Sequence, residues 1–111
     1  MKDFIDFSQK FKTKFGRYPY VFLSGAITER MDTYKKYFND AEAILRRLGI
    51  EKVFNPSVID MDTPWEKAME ITLGALEDVD CLYVLKDYEN SRGTKMEIDT
   101  AKAMGIPVFY E

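Results

Sequence analysis

The sequence predicts an α/β fold, a three-layer, doubly wound parallel sheet of about four strands in the order 2-1-3-4, with an extra helix at the N-terminus. Three observations predict it. Four short apolar runs recur, Tyr20 to Ser24, Val53-Phe54-Asn55, Cys81 to Leu85 and Ile106 to Tyr110. Segments with helical spacing alternate with them, and glycine or proline punctuates the joins. Near-continuous apolar strands separated by helices mean a parallel sheet covered on both faces.

The elements follow in order. Phe4, Phe7, Phe11 and Phe15 stand three or four apart and form one face of a short helix, which Gly16 and Pro19 end. This aromatic stripe is read as core or subunit contact. Tyr20 to Ser24 makes the first strand, which leads into Gly25-Ala26-Ile27-Thr28. Asp32 or Thr33 caps the next helix, which runs to about Leu48 and stops at Gly49. Its buried face is expected to be Tyr37, Phe38, Ala41, Ile44, Leu45 and Leu48. The second strand closes at Pro56. Thr63-Pro64-Trp65-Glu66 starts a helix with a capping box from Thr63 to Glu66 and Pro64 at its first position. That helix turns Trp65, Ala68, Met69, Leu73 and Leu76 inward, with Trp65 as its core anchor. Asp80 opens the third strand as a solvated residue. A helix from Met96 to Met104, ended by Gly105, precedes the last strand.

Right-handed crossovers leave the order 2-1-3-4, a flavodoxin-like or Rossmann-like arrangement. Ligands bind such sheets at the carboxyl ends of the strands beside the switch point between strands 1 and 3. That rule gathers the Gly25 loop, the Asn55 loop and the Ser91–Glu97 loop around one crevice. The chain of 111 residues is one domain, 1–111, with residues 1–16 forming the N-terminal helix.

Composition narrows the function. The net charge of −3 and the lack of a basic stripe argue against a nucleic-acid partner. No apolar run approaches membrane-spanning length and no signal-peptide core is expected. The single cysteine, Cys81, reads as a core residue and fits a reducing cytoplasm. With no histidine, Ser-His-Asp and Cys-His pairs and histidine metal sites are excluded. No acidic cluster calls for a metal, and no cofactor is expected. A dehydrogenase lacks its G-x-G-x-x-G, and a kinase its Walker loop.

Ser91-Arg92-Gly93-Thr94 follows a buried strand and precedes a helix, so it offers N–H groups and a positive dipole end to an anion. Glu97 is expected in or near the first helical turn, where the dipole lowers its pKa. It is either a nucleophile or an ordinary first-turn acid. Gly25, Ala26 and Ile27 let a ligand approach closely. Asn55 either contacts substrate or caps the turn before Pro56, and Tyr88 either stacks on a base or stands at the rim.

Phe22-Leu23-Ser24-Gly25-Ala26-Ile27-Thr28, Phe54-Asn55-Pro56, Ser91-Arg92-Gly93-Thr94 with Glu97, and Ala101 to Val108 together resemble the nucleoside 2-deoxyribosyltransferase-like superfamily over residues 20 to 111. Within it the chain looks like a small family of uncharacterised bacterial and phage proteins, with deoxynucleoside 5′-monophosphate N-glycosidases as more distant relatives. The resemblance implies that Glu97 attacks the anomeric carbon of a 2′-deoxynucleoside, forming a covalent deoxyribosyl-enzyme that water or a second base resolves. It implies that Ser91 and Gly93 hold a 5′-phosphate, that Arg92 adds a bidentate contact, and that the Gly25 loop lies along the substrate. It also implies a crevice completed in a homodimer or larger homo-oligomer. Two positions depart from the pattern. Thr72 stands where an aspartate commonly orients or protonates the departing base, and Phe22 where a tyrosine is common. Glu70 lies near Thr72 but is not expected to reach the same place. Loss of the acid allows a second reading, a non-catalytic nucleotide-binding module, either sensor or sequestering protein.

Overall fold

A computed structural model describes all residues, 1–111. The elements are α1 (Lys2–Phe15), β1 (Val21–Ser24), α2 (Tyr34–Arg47), β2 (Val53–Phe54), α3 (Trp65–Ala75), β3 (Cys81–Val84), α4 (Arg92–Ala103) and β4 (Val108–Tyr110). The sheet is parallel throughout and ordered β2-β1-β3-β4, as the apolar runs predict. Val21 pairs with both Val53 and Cys81, and Ser24 with Val84.

Alternation along β1 divides the core. Val21 and Leu23 face α1 and α2, where Phe4, Phe38 and Leu45 cover them. Phe22 faces α3 and α4 with Leu76, Leu82 and Ile98. Phe22 is fully buried there, and its ring stacks on Phe54 at 4.9 Å.

The α1 stripe divides between core and surface. Phe4 meets Tyr83 edge-on at 5.2 Å, and Phe7 reaches Phe109 at 5.0 Å. The stripe then leaves the sheet, and Phe15 is 55% exposed. Gly16 ends α1 in the left-handed region, with φ 74°.

Several local expectations are corrected. The buried face of α2 is Tyr34, Phe38, Ala41 and Leu45, while Tyr37, Ile44 and Leu48 are exposed. The two sets are neighbouring stripes on one helix, and only contact with the sheet chooses between them. The capping box at Thr63 does not form: Pro64 holds the cap position without a side-chain bond, and Glu66 is exposed. Trp65 is half-buried rather than a core anchor. Asp80 is not merely solvated; its carboxylate accepts the Tyr20 N–H at 2.8 Å and pairs with Arg17 at 2.9 Å, tying the start of β1 to that of β3. The last helix starts at Arg92 rather than Met96. No helix is long and apolar enough to cross a membrane.

Candidate functional site

A cavity of about 500 Å³ opens at the carboxyl ends of β1 and β3. That volume lies within the range of small-molecule sites. Segments after β1 and β2, the inner face of α3 and the first turns of α4 form its walls. Ile27, Met31, Ile59, Met61, Trp65 and Met69 make them largely apolar. Arg30 ties the segment after β1 to the one after β3, bonding the Lys86 carbonyl at 3.2 Å and the Asp87 carboxylate at 2.5 Å.

The start of α4 supplies the polar end. Ser91 is the N-cap, and its Oγ accepts the Thr94 N–H at 3.2 Å. The serine oxygen thus caps the helix as an acceptor, which leaves its O–H able to donate. The N–H groups of Arg92 and Gly93 have no acceptor within the protein. These are the orphan donors of a helix start. Thr94 is 1% exposed, lines the cavity, and its hydroxyl has no partner. The Arg92 guanidinium lies over the Trp65 ring at 4.4 Å. Gly93 is explained by packing, since a Cβ there would stand 3.2 Å from Met69 Sδ.

Glu97 stands in the second turn of α4 and lines the same cavity, yet is only 6% exposed. Its Oε1 accepts the Ser24 hydroxyl at 2.5 Å. The first-turn expectation fails because α4 begins earlier, which leaves Glu97 beyond the reach of the dipole. Burial dominates instead and drives the carboxyl up, while the Ser24 and Thr72 hydroxyls pull it partly back, leaving it at about 7. Of the two hydroxyls Ser24 is the closer donor, at 2.5 Å, and Thr72 Oγ1 also lies 3.3 Å from the Met69 carbonyl, which competes for its single proton.

The cavity gathers Gly25, Ile27, Ser91, Arg92, Gly93 and Glu97 from among the sequence candidates. Ala26 is buried and does not line it. Gly25 suits the core, since a Cβ there would crowd Leu85 Cβ at 3.1 Å and Phe38 at 3.3 Å. Asn55 also lies outside. It accepts the Ser57 N–H at 3.0 Å and donates to Asn39 and Glu42 at 3.1 and 2.9 Å, so the capping alternative holds. Tyr88 packs on Tyr110, with ring centroids 5.6 Å apart, and on the core beneath α4 rather than in the cavity. Glu70 is exposed and near Lys67. Sequence reasoning passed over Ser24, Thr72 as a partner of Glu97, and Trp65 as a cavity wall. A serine at the end of an otherwise apolar strand was the available signal. No group of three or more His, Cys, Asp or Glu side chains is placed to hold a metal ion.

A family model described as a domain of unknown function, DUF4406, matches residues 19–110. The chain belongs to the DUF4406 family. The match begins just after α1, so the matched residues hold the whole sheet and the cavity, and the Phe stripe lies outside them. No curated protein and no solved structure matches the chain.

Proposed function

We propose that this DUF4406 domain cleaves the N-glycosidic bond of a 2′-deoxynucleoside or its 5′-monophosphate, with Glu97 as nucleophile and water or a second base as acceptor. The observation that carries the reading is the position of Glu97, a buried carboxyl on the wall of an apolar cavity whose polar end is the start of α4. The reaction class itself comes from the resemblance to nucleoside 2-deoxyribosyltransferases. The apolar wall suits a base, and the Arg92 and Gly93 N–H groups suit a phosphate. A Glu97 oxygen bonds to the anomeric carbon as the C–N bond breaks, and the bonding pair leaves with the base, which takes up a proton. Water then adds hydroxide at the same carbon, releasing the Glu97 carboxylate and a proton. No metal or organic cofactor enters this sequence.

The partner on this reading is a free nucleoside or nucleotide in the cytoplasm, and the assembly is a homodimer or larger. One observation favours a second reading, a binding module without turnover. α3 presents Thr72 to Glu97, where the enzymes it resembles carry an acid for the departing base. General-acid help is worth about 10²–10⁴-fold in such steps. A panel of deoxynucleosides and their 5′-monophosphates, analysed by chromatography for free base, separates the two. Release lost in Glu97→Ala supports the enzyme; tight binding without release supports the module.

A further inference from the structure

Ser24 is buried at the end of β1 on the α3/α4 side, where Phe22 and Val84 belong to an apolar core. A hydroxyl in such surroundings costs free energy unless it is hydrogen-bonded. Its one side-chain bond is to Glu97, 73 residues away. The charged side chains lining the Glu97 cavity are Arg92 from α4, Glu29 after β1 and Asp60 after β2. None of them forms an ion pair with Glu97, and α3 contributes only the shared Thr72 hydroxyl. Orientation of the carboxyl therefore falls to Ser24. Resting on the reading of Glu97 as nucleophile, we propose that Ser24 is its positioning residue: the hydroxyl fastens Oε1 and leaves Oε2 as the oxygen that meets the sugar.

Two consequences separate this role from plain packing. The donor stabilises the carboxylate over the acid, so its removal moves the Glu97 titration upward. Removal also frees the carboxyl to turn, so the chemical step stays slow even at a pH where Glu97 is fully ionised.

The test follows the Glu97 carboxyl directly, by carbon NMR of protein labelled at the glutamate carboxyl carbon and assigned with Glu97→Gln. The wild-type midpoint is expected near about 7. Ser24→Ala is expected to raise it by about one unit, and Ser24→Thr, which keeps a hydroxyl, to return it most of the way. At pH 9, kcat for base release should fall about tenfold to a hundredfold in Ser24→Ala, with KM nearly unchanged. An unshifted midpoint in a folded Ser24→Ala protein overturns the role of Ser24, whether or not base is released. A shifted midpoint with wild-type kcat at pH 9 overturns the positioning. Absence of release from every deoxynucleoside in the wild type overturns the nucleophile reading and the attack geometry with it, and the titration still decides whether Ser24 governs Glu97.

Discussion

The Arg92 guanidinium lies over the ring of Trp65 at 4.4 Å, joining the first residues of α4 and α3 across the cavity. Arg92 keeps its donors at the same helix end as two unpartnered N–H groups. Arg92→Ala should therefore weaken binding of a 5′-monophosphate about tenfold to a hundredfold more than binding of the matching nucleoside, the range of a charge-assisted hydrogen bond. Calorimetry measures both. Equal losses would place Arg92 away from the phosphate. Trp65 is the only tryptophan, so its fluorescence reports the same stack, and Arg92→Ala should shift the emission before any ligand is added.

Glu97→Gln should abolish base release while leaving ligand affinity nearly unchanged, since the carboxylate acts in the transition state. Wild-type release should rise with pH through about 7 as Glu97 ionises. Incubation with a slow 2′-fluoro analogue should add the mass of one sugar unit to the peptide containing Glu97. Base release at the wild-type rate by Glu97→Gln would remove the nucleophile.

The same substitution should stabilise the fold in a pH-dependent way. The folded-state pKa of Glu97, about 7, lies above its reference value of 4.5. The folded protein therefore binds a proton that the unfolded chain has released between those values, and stability falls as pH rises through that window. The difference corresponds to about 3 kcal/mol above pH 7. Glu97→Gln has no charge to bury. Its melting temperature should exceed the wild type by several degrees at pH 8, with the gap closing as pH falls from about 7 to 4.5. A gap independent of pH would contradict burial of the ionised form.

The two cavity glycines should respond differently to alanine. In Gly25→Ala the new methyl meets Leu85 Cβ and the Phe38 ring, both fixed in the core, at a cost of about 1–3 kcal/mol. In Gly93→Ala it meets Met69 Sδ, near the end of a flexible side chain. Gly93→Ala should melt closer to the wild type than Gly25→Ala, and the reverse order would mean that α3 and α4 cannot part.

Phe11 is half-buried and Phe15 exposed at the end of α1, their rings 4.4 Å apart. Light scattering is expected to give a mass above the 13.0 kDa of one chain, and Phe15→Glu to reduce it. A monomer at micromolar concentration would count against the oligomer.

The order of the sheet could be read from the sequence because its strands leave short apolar runs, uninterrupted in the fully buried β1 and β3, and right-handed crossovers arrange them. The glycines at 16, 49 and 105 marked the helix ends because each takes a positive φ, which costs most other residues steric strain. The start of α4 could not be read, because Ser91-Arg92-Gly93-Thr94 has the composition of a loop. Gly93 is nonetheless helical there, lying against Met69 of α3. Asn55 and Tyr88 looked available to a ligand only because their partners, Asn39, Glu42 and Tyr110, are distant in sequence. The presence of an acid at position 97 was sequence information, but its charge state was not. Local position suggested a dipole-stabilised anion, whereas burial between β1 and α3, against the Ser24 hydroxyl, decides a carboxyl that titrates near neutrality. Desolvation depends on every atom packed around the group, and that packing exists only once the chain has folded.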